Sequence, residues 1–263
     1  MDLAAIQRTA VSAAFQGAAE LKAYFGKLRA VTKKGRIDLV TQADLASEAK
    51  IIEIIRARYP EHAILAEESG LTRGEGPIRW VIDPLDGTTN YAHGLPIFGI
   101  SIAAETEGET LVGVVMTPVG GELYTAIKGQ GAFLNDRPIK VSTSSLVSES
   151  LLITGFPYEW GDRQNAILGR FERCVTSARG VRRLGAAALD LCYLACGRAD
   201  AYWEDQLKPW DSAAGALIAR EAGATVTDFS GTDYACGTGE LLASNGHIHA
   251  EMLALLQTTK DAT

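Results

Sequence analysis

Cysteine is scarce: four residues in 263, at Cys174, Cys192, Cys196 and Cys236, with no C-x-x-C pair. That excludes a disulfide scaffold and predicts reduced thiols in a cytosolic protein. Positive charge is also short. Lys and Arg total 25 against 32 Asp and Glu, a net charge of −7. A general nucleic-acid binder carries a basic face, so no nucleic-acid partner is expected. A protein that gathers divalent cations needs surplus carboxylates and stays compatible with this balance. No run approaches the roughly 20 apolar residues of a membrane span. The start, Met1-Asp2-Leu3-Ala4-Ala5, lacks the basic and apolar segments of a signal peptide. The expectation is a soluble, cytoplasmic protein with no membrane partner. There is no G-x-x-x-x-G-K-[ST] phosphate loop and no G-x-S-x-G nucleophile elbow. Gly129-x-Gly131 is too short for a dinucleotide fingerprint and suits a hairpin turn.

What is present is ordinary globular material, 47% apolar and 22% charged. A chain of this length builds a core without a disulfide or structural metal. Leu3, Ile6, Ala10, Ala14, Ala18, Leu21, Phe25 and Leu28 recur at steps of three and four and predict a helix. A basic loop, Lys33-Lys34-Gly35-Arg36, follows it. A second helix is predicted over 43–58, stopped by Pro60. Residues 62–66 and 80–82 read as short strands, separated by a surface loop over 71–79 that holds Gly74, Gly76 and Pro77. Residues 98–140 read as an antiparallel meander with strands at 100–104, 111–116 and 123–127. The second half alternates. Strands are predicted at 151–154, 199–203, 225–227 and 241–243, and helices at 165–176, 185–196, 211–222 and 248–257. Gly223 would cap the third of those helices. No repeat, low-complexity segment or composition break marks a linker, so one compact α+β domain over 1–263 is expected.

The placement of the carboxylates is informative. Most acidic side chains belong on solvated helix faces. Here Glu67 and Glu68 follow Ile64-Leu65-Ala66, Asp83 and Asp86 follow Trp80-Val81-Ile82, and Asp211 follows Pro209-Trp210. Carboxylates beside apolar residues are costly unless paired or bound to metal. No Lys or Arg lies within 80–95, and only Arg198 lies within 185–207, which tilts the balance to metal. Oxygen ligands select a hard cation such as Mg²⁺. Asp83-x-x-Asp86 puts two carboxylates on a tight turn fixed by Pro84, with the Leu85 carbonyl as a further inward ligand. Gly87-Thr88-Thr89 then opens a helix whose backbone N–H groups suit a phosphate. The competing reading of Asp83 and Asp86 is a shaped turn and a helix cap. His247-x-His249 could suggest a metal pair, but at a helix start it reads first as surface capping. Cys192 and Cys196, one helical turn apart, read as core packing, and Trp203 and Trp210 as scaffold.

With four stretches in order, the chain resembles the inositol monophosphatase family, Mg²⁺-dependent, lithium-sensitive phosphatases. The stretches are Asp38-Leu39-Val40-Thr41-Gln42-Ala43-Asp44, Glu67-Glu68-Ser69, Trp80 through Asn90, and Trp210-Asp211-Ser212-Ala213-Ala214-Gly215-Ala216 continuing into Glu221-Ala222-Gly223-Ala224. The resemblance covers nearly the whole chain. It implies a layered α-β-α-β-α sandwich of the sugar-phosphatase type, class α+β. The metal-binding α+β half would span about 1–145 and an α/β half about 146–263. It implies two or three Mg²⁺ per subunit. Glu67, Asp83 and the Leu85 carbonyl would hold the first, Asp83, Asp86 and Asp211 the second, and Glu67 with waters a weaker third. In the family a water on the metals attacks phosphorus in line with the departing alkoxide. Thr88 with Asp44 would orient and deprotonate that water, and the Gly87 and Thr88 amides would hold the phosphate. Lys33 aligns with a family lysine on a hairpin near the site, though one more solvated residue is an equal reading.

The resemblance also implies a substrate side. Inositol hydroxyls would meet Glu204 of Trp203-Glu204, the turn Gly185-Ala186-Ala187 through Gly185 and Ala187, and Asp211. A carboxylate aimed at vicinal hydroxyls suits a phosphorylated polyol, so myo-inositol monophosphate is the expected substrate. Leu85 stands where isoleucine is common, which is harmless if only its carbonyl is used. Ala186 departs from a frequent hydroxyl residue. Fructose 1,6-bisphosphate, histidinol phosphate and 3′-phosphoadenosine nucleotides are handled by relatives. Bisphosphates and nucleotides would need more basic residues than Arg182, Arg183, Arg198 and Lys208. The different-class alternative is a regulatory protein-binding role, since some bacterial relatives bind the transcription machinery. A chain that had lost catalysis should show a gap among Glu67, Asp83, Asp86 and Asp211, and none is missing. A homodimer is the family's usual state.

Overall fold

Alternation along the strands decides the layering of this chain. In the computed structural model, which describes residues 1–26, 31–34 and 38–257, the elements run α1 (Leu3–Tyr24), β1 (Val31–Lys34), β2 (Asp38–Thr41), α2 (Gln42–Arg58), β3 (Ala63–Ala66), β4 (Gly70–Thr72), β5 (Arg79–Asp86) and α3 (Thr88–Ala92). The meander follows as β6 (Gly99–Thr106), β7 (Glu109–Thr117), β8 (Glu122–Ile127), β9 (Ala132–Leu134) and β10 (Arg137–Pro138). Then come β11 (Leu151–Thr154), α4 (Gln164–Ser177), β12 (Gly180–Arg182), α5 (Ala187–Ala195), β13 (Ala201–Glu204), α6 (Pro209–Glu221), β14 (Thr225–Thr227), β15 (Leu241–Ser244) and α7 (His249–Leu256). Leu28, Gly35, Arg36 and the side chain of Lys33 lie outside the described residues.

Strands β3 to β10 form one eight-stranded sheet in the order β10-β9-β8-β7-β6-β5-β3-β4. It is antiparallel except for the parallel pair β3–β5. Ile100, Ile102, Val112 and Val114 point to one face and pack with Ile6, Ala10, Leu21, Ile51 and Ile55 of α1 and α2. Val81, Ala103 and Val115 point to the other face, against Leu189, Leu191, Ala213 and Leu217 of α5 and α6. This is the period-two alternation of a sheet covered on both sides. The five-stranded sheet, β12-β11-β13-β15-β14, repeats the device. Tyr202, Leu241 and Ala243 face α5 and α6, whereas Leu152, Ala201, Trp203 and Leu242 face Cys174 of α4 and Met252 and Leu256 of α7. The layers are therefore α1/α2, sheet, α5/α6, sheet, α4/α7, the expected α-β-α-β-α sandwich.

Three local readings are corrected. The loop expected over 71–79 begins as strand β4, an edge strand that pairs Leu71 with Leu65. Asp83-Pro84-Leu85-Asp86 is not a turn after a strand but the bulged end of β5: Asp83 pairs with Ser101 and Asp86 with Gly99, so β5 carries one residue more than β6. A proline, which has no N–H for the ladder, fits such a bulge. His249 is buried instead of capping at the surface, with its Nε2 3.0 Å from Thr227 Oγ1 and its Nδ1 2.8 Å from Ser244 Oγ. Its place is set by the wall of α7 against the second sheet. Cys192 is buried as expected, and all four cysteines are free thiols. Among the described residues no helix is long and apolar enough to cross a membrane.

Candidate active site

Both sheets contain a parallel pair, β3–β5 and β11–β13, and a cavity of about 950 Å³ lies beyond the carboxyl ends of all four strands. Parallel strands place their carboxyl ends and the following loops together, which is where α/β sheets form crevices. Glu67 follows β3. Asp83, Leu85 and Asp86 come from the β5 bulge, and Gly87 and Thr88 open α3. Gly185 and Ala187 precede and begin α5, Glu204 ends β13, and Asp211 lies in the first turn of α6. All ten line the cavity. Of the eleven residues that the resemblance implicates in catalysis, metal binding or substrate contact, these ten are in the lining and Asp44 is not. It is buried in the first turn of α2, close enough to Asp83 to act on its charge.

Asp83, Asp86 and Asp211 are each oriented by backbone donors. The Leu85 N–H donates to Asp83 Oδ1 at 2.9 Å. Asp86 reaches across the molecule: the N–H groups of Ala187 and Ala188 donate to its Oδ1 and Oδ2 at 3.1 and 2.8 Å. Asp86 thus caps α5, whose first N–H groups have no helical partner. The helix-cap reading was right in kind, but the helix is 101 residues away. Asp211 Oδ2 accepts the Lys208 N–H at 2.7 Å, closing the start of α6. The Thr88 hydroxyl donates to the Leu85 carbonyl at 3.0 Å, and Ser47 of α2 donates to the Pro84 carbonyl at 3.0 Å, bracing the bulge. Gly87 has φ +92°, a left-handed conformation that favours glycine, and a Cβ there would approach the Ile97 carbonyl oxygen to 2.9 Å.

Burial and mutual repulsion act together on these groups. Burial, with Glu67, Asp86 and Asp211 around it, holds Asp83 well above the ordinary carboxylate range. Burial pushes Asp86 up to about 7 despite its two backbone donors, and Asp211 to about 7 despite the Lys208 N–H. Among the described residues no salt bridge reaches Asp83, Asp86, Glu204 or Asp211. Four carboxylates and a carbonyl make an all-oxygen donor set of the kind a hard divalent cation neutralises. Among the described residues no three such groups already close around one point. They form a lining instead of a cage, which suits an ion that keeps several waters and shares substrate oxygens.

The lining also carries Glu204. The Tyr202 hydroxyl donates to its Oε2 at 2.5 Å, the two residues sharing one face of β13. Burial pushes Glu204 up to about 7, against the pull of that hydroxyl and of Arg183. Several wall residues had no signal in the sequence. Gly155, Phe156, Tyr158 and Trp160 follow β11 and line the cavity, with the Phe156 and Trp160 rings stacked at 5.4 Å. Trp210, read as scaffold, also lines it, beside Asp211 in the first turn of α6. The Asn90 amide donates to the Ile97 and Leu184 carbonyls at 2.7 and 2.8 Å and so fixes the Gly185 turn beside Gly87. Asn90 sits inside a quoted motif, yet its tie 94 residues away could not be read from spacing.

Comparison with known proteins matches the chain over nearly its whole length. The family model described as "Inositol monophosphatase family" matches residues 2–261. An inositol-1-monophosphatase of Synechocystis is 46% identical over 98% of this chain and 91% of its own length. The Nus factor SuhB of Pasteurella multocida is 45% identical over 86% of this chain and 85% of its own. The crystal structure of the extragenic suppressor protein suhB from Bartonella henselae superposes with a TM-score of 0.93 at 37% identity, covering 98% of this chain and 100% of that one.

Proposed function

The chain belongs to the inositol monophosphatase family and is a phosphatase, and from that premise we propose that its cavity hydrolyses myo-inositol monophosphate to inositol and phosphate with Mg²⁺ as cofactor. The observation that carries this reading is the meeting of Glu67, Asp83, Asp86 and Asp211 in one cavity, with Glu204 in the same lining. Glu67, Asp83, the Leu85 carbonyl, Asp86 and Asp211 would hold two Mg²⁺, with a third, weaker ion on Glu67. Bound there, the ions would neutralise phosphoryl charge and make a water acidic enough to react near neutral pH.

The chain's own groups do the rest. The Gly87 and Thr88 N–H groups, at the start of α3, hold the phosphate oxygens. The Thr88 hydroxyl, anchored by the Leu85 carbonyl, aligns the attacking water, and Asp44, buried beneath, receives its proton. Gly185, Ala187, Asp211 and Glu204 hold the ring hydroxyls, so that the ester oxygen departs on the side away from the water. The aromatic wall of 156–160 excludes solvent from the leaving-group side. A homodimer in the cytosol carries over from the family, and the four free thiols agree with a reducing compartment. Light scattering on the purified protein tests the dimer.

Phosphate release from inositol 1-phosphate, glycerol 2-phosphate, fructose 1,6-bisphosphate, histidinol phosphate and 3′-phosphoadenosine 5′-phosphate tests the substrate. Inositol 1-phosphate is expected to react fastest, with Li⁺ inhibiting. Another ester faster by tenfold, about 1.4 kcal/mol in the barrier, would overturn the polyol reading and leave the metal site standing. A second reading has one observation in its favour, the name Nus factor carried by the Pasteurella relative: a regulatory role through a protein partner. Replacing the chromosomal copy by an Asp83→Asn allele separates the two. A null phenotype supports catalysis, and a wild-type phenotype supports the partner role.

A further inference from the structure

Gly155 follows β11 at the point where that strand lies beside the end of β13. The register pairs Thr154 with Trp203, so residue 155 stands next to residue 204. The Thr154 hydroxyl donates to the Trp203 carbonyl at 2.9 Å and locks the two strands there. Gly155 is buried and lines the cavity. Its φ is not among the positive ones, so its backbone does not call for glycine. Space does. A Cβ built at 155 coincides with the Glu204 carboxylate, and the three atoms nearest to it are Glu204 Oε2, Cδ and Oε1. Compare Gly74, where a Cβ would strike the backbone of Glu61 and His62. At 155 the three nearest atoms all belong to the far end of one side chain, which has torsions to turn about. A methyl group there would leave the strands in place and evict the carboxylate.

We propose that Gly155 is a positioning residue: the side chain it lacks is the recess in which the Glu204 carboxylate lies, with its Oε2 held by the Tyr202 hydroxyl, and this recess sets the preference for leaving groups that carry vicinal hydroxyls. The inference rests on the reading of Glu204 as the group that meets those hydroxyls. With the recess filled, Glu204 must rotate about its side-chain torsions and lose the 2.5 Å bond from Tyr202. Its oxygens then no longer face the bound ring. Sites that hydrogen-bond a substrate hydroxyl discriminate strongly, because their polar groups are left unpaired by the wrong ligand.

The test is a double-mutant cycle on the Mg²⁺-loaded enzyme with Gly155→Ala, Glu204→Ala and the double variant. The readout is kcat/KM for inositol 1-phosphate divided by kcat/KM for p-nitrophenyl phosphate, whose leaving group has no vicinal hydroxyls. Gly155→Ala is expected to lower this ratio about tenfold or more, chiefly by raising KM for inositol 1-phosphate. In the Glu204→Ala background the same change should add nothing, because no carboxylate remains to be displaced. Two results overturn the proposal: a wild-type ratio in Gly155→Ala when Glu204→Ala has lost it, or a further loss in the double variant, which would mean a distorted backbone. A wild-type ratio in Glu204→Ala itself overturns the reading of Glu204, and the inference falls with it. That failure is distinguishable because this variant keeps Gly155. Should Gly155→Ala be too unstable to assay, the double variant is expected to regain the melting temperature of Glu204→Ala, and an equally unstable double variant overturns the proposal.

Discussion

A buried carboxylate that serves two purposes gives each away under different substitutions. Asp86 lines the cavity and accepts the Ala187 and Ala188 N–H groups. Asp86→Asn keeps one oxygen for those donors, whereas Asp86→Ala leaves both unsatisfied in the interior. An unmade buried hydrogen bond costs about 1–3 kcal/mol. Asp86→Ala should therefore unfold at lower urea than Asp86→Asn, by about 2 kcal/mol, while both lose phosphatase activity. Equal midpoints would show that Asp86 does not hold α5. His249 makes a second residue-level prediction. Burial lowers its pKa below 6.5, so the folded state favours the neutral ring. That stability is present above pH 6.5 and is lost as pH falls through the lowered folded value. Three cavity carboxylates raised to about 7 pull total stability the other way as pH rises, so the test is a difference: urea unfolding from pH 5 to 8 should show the wild type gaining stability relative to His249→Asn as pH rises. A difference that stays constant with pH would contradict the assignment. The carboxylates of the cavity were legible in the sequence because Asp and Glu ending apolar strands need a compensating charge. His249, Gly155 and Trp210 were not, because their surroundings are assembled from strands and helices distant in the chain.

Packing between elements rests on close approaches that only small residues permit. Gly113 in β7 faces α6, and a Cβ there would lie 2.8 Å from the Ala214 carbonyl oxygen and 3.2 Å from its Cα. Both atoms are backbone and cannot swing aside. Gly113→Ala should cost about 1–3 kcal/mol and lower Tm by several degrees. Activity should fall too, since α6 carries Asp211. A wild-type Tm would mean that the sheet and α6 are not in contact at this point. Helix α1 was legible from its three-and-four periodicity and the end of α2 from Pro60, as were β6, β7 and β8 from short apolar runs between glycine turns. The edges of the sheets were not. Strands β4 and β12 have three residues each and exist through their partners β3 and β11, with Leu71 of β4 exposed. The bulge in β5 depends on how many residues β6 places opposite it, which no local pattern records.

At the scale of the whole molecule the cavity has no wall of its own. Glu67, Asp83 and Asp86 come from the first half, Glu204 and Asp211 from the second, and α5 and α6 pack against both sheets. We propose accordingly that residues 1–263 unfold as one cooperative unit. Calorimetry should give one transition with matching calorimetric and van't Hoff enthalpies, and two separable transitions near residue 145 would contradict it. The sequence-level resemblance reached this scale because its motif stretches lie in both halves, and three of the four, those holding Glu67, Asp83 and Asp211, line one cavity. Phosphate release from inositol 1-phosphate is the most direct measurement, with Mg²⁺ raised stepwise after chelation, on the wild type and on folded Asp83→Asn. The wild type should be inactive after chelation and rise to saturation with Mg²⁺, and Asp83→Asn should remain roughly a thousandfold slower at the same Mg²⁺. Release that survives chelation, or an Asp83→Asn variant as fast as the wild type, would contradict a cation held by these carboxylates.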